Sequence, residues 1–339
     1  MTNSQKFERS ENRSPMLKDL PPDGGQFKTR GHWRKIWANF RRRRLAFVSL
    51  IIISFIYLLG IFAPVIQTHD YQETNLRETQ QGPSADHWFG TDRAGRDLYT
   101  RVVWGIQTTV IITVTSFATG SLLLGVSIGL AAGYFRGWTD AIIMRVGEVV
   151  SAFPDILLII LLAATLRPRF VQFARDIEDS TGMTGLVSSG IVDYVVIGVA
   201  LLPLSWFGMM RLVRGQVLVL REAEYVQAAR AMGTSTPRIL YRHILPNVVS
   251  PIIVSVSFGI GAIALSEVIL SFFGLGVQPP RPSLGVMIGE VTARGGASVS
   301  VLRDHPEQLL APIIVVWLLI FSWNIVGDAL NDVLNPRAR

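Results

Sequence analysis

Cysteine is absent from all 339 residues. Disulfides, thiolate metal sites and thiol catalysis are therefore excluded. Lysine is nearly absent. Only four occur, all within the first 35 residues, and none stands in a GxxxxGK context. A Walker A loop needs that lysine to reach the phosphates of ATP, so this chain is not expected to hydrolyse ATP by itself. HExxH is also missing, and His32, His69, His87, His243 and His305 are far apart along the chain. No catalytic residue, metal ligand or cofactor is expected from that pattern. Charge is scarce too: 17% of residues are charged, where a soluble domain carries about 25%.

What fills the gap is apolar sequence, 49% of the chain at a mean hydropathy of +0.38. About 20 apolar residues cross a bilayer, and six runs reach that length: 45–66, 106–132, 141–166, 190–210, 248–270 and 309–330. The third is interrupted by Arg145, Glu148, Pro154 and Asp155, and 167–189 follows as a polar loop. These runs predict an all-α, polytopic membrane protein with six transmembrane helices. Residues 1–30 are polar and read as disordered. Residues 31–40, with Trp33 and Trp37, have the spacing of an amphipathic helix lying on a membrane surface. The division is thus 1–40, a tail plus an amphipathic elbow helix, and 41–339, the transmembrane domain.

The net charge of +7 is resolved by location. With the N-terminus cytoplasmic, the inner segments hold 22 lysines and arginines and the outer segments 10. Positive charge favours the cytoplasmic side, which puts both termini and residues 211–247 there. Sidedness accounts for the basic balance, and no nucleic-acid partner is expected.

Within 211–247 the stretch from Glu224 to Gly233 reads as a short helix. Glu222 and Glu224 suit the positive end of its dipole and Arg230 the negative end. Ala223, Ala228, Ala229 and Ala231 favour helix, and Gly233 is placed to stop it. Thr236 reads as the cap of a second helix with Pro237 in its first position, and Pro246 as its end. A small-faced helix-turn-helix between two spans suggests a knob that seats in another protein's groove.

Glu224-Tyr-Val-Gln-Ala-Ala-Arg-Ala-Met-Gly233, followed by Arg242-His-Ile-Leu-Pro-Asn247, resembles the EAA loop of ABC-importer permeases. The likeness is to the C-type subunit of the dipeptide/oligopeptide/nickel transport family. Four further stretches agree, in that family's order. They are Phe89-Gly-Thr-Asp-Arg-Ala-Gly-Arg-Asp97, Ala132-Gly-Tyr-Phe-Arg-Gly-Trp-Thr-Asp140, Glu267-Val-Ile-Leu-Ser-Phe-Phe-Gly-Leu-Gly276 and Asn324-Ile-Val-Gly-Asp-Ala-Leu-Asn-Asp-Val-Leu-Asn-Pro336. The resemblance implies the type I ABC importer permease fold, with a coupling helix in the loop at 211–247. It implies import of peptides, or in some branches nickel or other small solutes. It also implies partners: a second homologous permease, two ATP-binding subunits and an extracytoplasmic solute-binding protein. In the coupling loop, Ala228 and Ala229 would allow close approach, Glu224 and Arg230 polar contacts, and Gly233 the turn, with Pro246 downstream.

Two other groups carry alternative readings. Asp92, Arg93, Arg96 and Asp97 are either a contact for the binding protein or a capped, salt-bridged turn that positions the second span. Ionisable residues in an apolar span usually face a cavity or a partner. Asp155 and Glu148 therefore either line the pathway or, for Glu148, pair with Arg145 one turn away. The competing function is a secondary transporter or channel working alone.

Overall fold

The computed structural model describes residues 30–187, 189–292 and 303–334. The tail read as disordered lies outside these residues up to position 29, and so does the side chain of Trp33. Thirteen helices organise the described residues. They are α1 (Arg30–Arg42), α2 (Arg44–Ile61), α3 (Ala63–Ile66), α4 (Leu98–Ser116), α5 (Val126–Phe135), α6 (Gly137–Ser151) and α7 (Asp155–Thr181), then α8 (Ile191–Leu220), α9 (Glu224–Ala231), α10 (Thr236–Arg238), α11 (Leu245–Phe272), α12 (Leu284–Thr292) and α13 (Glu307–Leu334). π-Helical stretches join α4 to α5 (Phe117–Gly125) and α10 to α11 (Ile239–Ile244). Among the described residues six helices are long and apolar enough to cross a membrane: α2, the continuous 38-residue α4–α5, α7, α8, the continuous 37-residue α10–α11, and α13.

The third span departs from its expected place at 141–166. Pro154 has an extended ψ of 125°, as proline's fixed φ and missing donor favour at a helix start. It parts the apolar run into α6 and α7. Arg145 and Glu148 therefore sit on α6, outside the membrane-length helix. Residues expected as a polar loop from 167 onward instead continue α7 to Thr181, with Pro168 inside it. Gly182, left-handed at φ 69°, ends the helix.

The central contact is between α8 and the α4–α5 helix. Side chains of Ile112, Phe117 and Leu130 bury against Ile197, Leu201, Met209, Val213 and Val217. Small residues let the two backbones approach. A Cβ on Gly125 would lie 2.8 Å from Met209 Cβ, and one on Gly133 would lie 2.7 Å from Val217 Cβ. In lipid, helices are held by such close packing rather than by water exclusion. On the other flank α13 packs between α2 and α11, and Trp323 Nε1 donates to the Tyr57 hydroxyl at 3.2 Å. Arg43 and Asp332 pair at 2.6 Å, so the start of α2 meets the end of α13. There Phe40 of α1 is buried with Ala46, Ile53, Val326 and Ala329, while Trp37 stays exposed.

Candidate functional site

The loop between α8 and α11 is built on a fixed footing. α9 turns Val226 and Ala229 inward, and Val226 joins Val217, Ile239, Ile244 and Val248 in the main core. Gly233 adopts φ 77°. Its amide donates to Arg230 O at 3.0 Å, and the Thr234 amide donates to Ala229 O at 3.1 Å. Those two bonds satisfy the carbonyls that a helix end leaves orphaned. Below α9, Arg221 Nη1 donates to Tyr134 O at 2.6 Å, and the Arg230 guanidinium lies 5.4 Å over the Tyr134 ring. Arg214 forms a two-pronged ion pair with Asp140. The segment is thus tied to the α5–α6 junction.

The outer surface of the same segment is open. Glu224, Ala228, Ala231 and Gly233 are exposed, as are the larger Tyr225, Met232 and Tyr241. Of the two alanines expected to permit close approach, only Ala228 faces outward. Ala229 packs against the chain itself, and Arg230 already has an aromatic partner.

The second half of the loop differs from the helix-turn-helix expected. Ser235, not Thr236, precedes the first helical residue, and no side chain caps it. Pro246 ends nothing, since it falls in the second position of α11, inside one continuous helix. The widened turn over Ile239–Ile244 lies immediately before it, and proline is accommodated where such a turn relieves the contact with the preceding carbonyls.

At the opposite end of the bundle, the 89–97 motif folds into a tight turn. The Asp97 carboxylate caps α4, accepting from the Thr100 amide at 2.8 Å. Asp92 Oδ1 accepts from the Ala94 and Arg96 amides at 2.8 and 3.0 Å. Gly95 takes φ 70°, and a Cβ there would lie 1.8 Å from Asn75 O. Asp92 also pairs with Arg96 and with Arg101 of α4, and both arginines reach Glu290 of α12. Burial works against the Arg96 charge, but Asp92 and Glu290 outweigh it and hold its pKa above the ordinary value. This is the geometry of the capped, salt-bridged turn. The network borders a cavity of about 360 Å³ lined also by Leu76, Met287 and Gln308.

Asp155 and Glu148 part company. Asp155 opens α7 and borders two cavities, one of about 670 Å³ with Phe207 and Arg211 and one of about 240 Å³ with Phe117, Ser205 and Ser266. Glu148 is exposed on α6 and pairs with Arg145 at 3.3 Å. Glu267 is fully buried and accepts from Thr109 at 2.7 Å, Ser271 at 2.8 Å and Ser283 at 3.2 Å. It holds α4, α11 and the approach to α12 together.

Sequence reasoning missed Arg101, Glu290 and Tyr134, whose partners are distant in the chain. It also set the histidines apart, whereas the rings of His69 and His87 stack with centroids 4.6 Å apart.

Residues 125–339 match the family described as the binding-protein-dependent transport system inner membrane component. Residues 31–83 match the N-terminal transmembrane domain of oligopeptide transport permease C. The chain is 36% identical to the dipeptide transport system permease protein DppC of Alkalihalophilus pseudofirmus, over 98% of this chain and 99% of that one. It is 36% identical to the oligopeptide transport system permease protein OppC of Bacillus subtilis, over 91% and 90%. It is 33% identical to the glutathione transport system permease protein GsiD of Pectobacterium atrosepticum, over 96% and 98%. Six membrane-length helices, the α9 loop and these full-length likenesses agree: the chain belongs to the family of binding-protein-dependent transport system inner membrane components, the permease subunits of ABC importers.

Proposed function

We propose that this permease imports small peptides across the plasma membrane and that α9 is its coupling helix. Both termini and the 211–247 loop face the cytoplasm, where two separate ATP-binding subunits dock. A second homologous permease completes the pathway, and an extracytoplasmic solute-binding protein delivers the peptide at the end carrying residues 67–97. The observation that carries this reading is the two-sidedness of α9. It buries Val226 and Ala229 as a footing while exposing Ala228, Tyr225 and Met232 to a partner. The arginine excess on the same side supports the orientation. The sparse burial of α7 and exposed Trp138, Ile142 and Val149 on α6 suit a permease partner alongside. The named substrates of the relatives support peptides as cargo, and Asp155 beside its cavities is the acidic group placed to meet an amino terminus.

The test is reconstitution in vesicles. The chain alone should hydrolyse no ATP and move no peptide. Peptide uptake should appear only with the ATP-binding subunits, the second permease and the binding protein present. Uptake of di- or tripeptide by the chain without any ATPase would overturn the reading in favour of a secondary transporter.

A further inference from the structure

We infer that His69, His87 and Asp97 form a binding site for a divalent transition-metal ion of borderline softness, with Zn²⁺ the best fit. The ligand atoms of the three side chains all lie within 4.8 Å of one another. His87 Nδ1 is 3.0 Å from Asp97 Oδ1, and His69 Nδ1 is 3.9 Å from the same oxygen. Around a tetrahedral zinc with bonds of about 2.0–2.2 Å, neighbouring ligand atoms lie about 3.3–3.6 Å apart. These two separations bracket that spacing, and the third pair is within 4.8 Å. A pair of imidazoles with one carboxylate is a donor set for zinc and its neighbours rather than for the hard cations Mg²⁺ and Ca²⁺.

The surroundings aim these atoms inward. Asp97 Oδ2 is taken by the Thr100 amide at 2.8 Å and the Thr68 hydroxyl at 3.2 Å, which leaves Oδ1 turned to both rings. His69 is placed by its own amide, which donates to the Thr100 hydroxyl at 3.3 Å, and by its Nδ1, which pairs with the Thr68 hydroxyl at 3.2 Å and must exchange that partner for the ion. His87 is fixed by its amide on Ser84 Oγ at 3.0 Å and by its carbonyl, which accepts from the Ser84 and Gly90 amides. Its far nitrogen, Nε2, faces the Glu78 carboxylate at 3.6 Å. Without metal, His87 Nδ1 donates to Asp97 Oδ1 at 3.0 Å; a bound ion displaces that proton, and the Glu78 carboxylate beside Nε2 then supports the outer N–H, as outer-shell carboxylates do for a ligating histidine. Glu78 is itself steadied by Asn75 Nδ2 at 2.7 Å. His87 and Asp97 are buried and His69 is half-buried, so the site has two anchored ligands and one that opens to solvent. Water completes the coordination. The bound ion would pin the segment after α3 to the start of α4.

The test uses the full-length chain in detergent, freed of any polyhistidine tag, equilibrated with ZnCl₂ and passed over a desalting column. Elemental analysis should find about one zinc per wild-type chain, since three ligands plus water make one site. His69→Ala, at the most exposed ligand, should abolish it. Glu78→Gln keeps all three ligands and should weaken zinc affinity about 10–100-fold, as loss of an outer-shell partner does. Cobalt(II) should give a visible absorption band with the wild-type chain that zinc displaces and Mg²⁺ does not. Melting in chelator should be alike for all three proteins, because His69 and Glu78 are partly exposed. Equal zinc content in wild type and His69→Ala, or no retention by wild type, would overturn the site.

Discussion

Two adjacent alanines on α9 should respond in opposite ways to the same substitution. Ala228 is exposed, whereas Ala229 keeps 2% of its surface. Ala228→Trp falls at an exposed position, so its cost should be the helix-propensity difference, about 0.5 kcal/mol. The fold should melt as wild type. If α9 seats in a groove of an ATP-binding subunit, however, an indole at that position holds the surfaces apart. Each 1.4 kcal/mol lost at that contact is about tenfold in docking. Peptide-stimulated ATPase and uptake should both fall by about tenfold or more, while the permease still reaches the membrane. Ala229→Trp forces the same indole into the footing beneath the helix. Overpacking there costs about 1–3 kcal/mol, so melting temperature and yield should fall before any question of coupling arises. The assay is thermal melting in detergent alongside ATPase and uptake in vesicles. Wild-type coupling by Ala228→Trp would refute the docking face, and an unshifted melt for Ala229→Trp would refute the footing.

Gly233→Val should cost about 1–2 kcal/mol from the left-handed backbone alone, because no atom lies within 4 Å of a Cβ built there; Gly233→Asn, which tolerates that conformation, should melt and couple close to wild type. Asp92→Ala strips a partner from Arg101, whose side chain is 4% exposed, and should destabilise by up to about 3–5 kcal/mol in a detergent melt. Glu290→Gln should cost less, since its carboxylate is 29% exposed and Arg101 keeps Asp92. Glu267→Ala leaves the Thr109, Ser271 and Ser283 hydroxyls without their acceptor and should cost about 1–3 kcal/mol, with Glu267→Gln recovering most of the loss by the same melt.

The spans were legible because hydropathy is a local property, and so was α9, whose alanines and Gly233 act within one turn. Errors arose where a local signal admits two outcomes. Proline suits a helix start and also breaks a helix interior. Pro154, expected as an interruption within one span, divides the run into two helices, and Pro246, expected as a helix end, lies where the helix runs on. Charge misled in the same way, because the polar side chains after Arg167 read as loop although their backbone continues α7. The contacts that organise the two ends have no local signal at all. Arg101 meets Glu290 across 189 positions, Thr109 meets Glu267 across 158, and Arg214 meets Asp140 across 74. Nothing in periodicity pairs such residues. What the sequence does offer is a cost argument: a carboxylate or guanidinium in an apolar run must find a partner or a cavity. Glu267 and Arg101 meet that demand through groups contributed by other helices, whereas Glu148 escapes it by lying outside the span. His69 and His87 carry no such demand, since a neutral imidazole can sit in a loop unpaired. Their meeting at Asp97 follows from the chain between them doubling back to the start of α4, and the cap that starts the helix is also what brings the two rings to one oxygen.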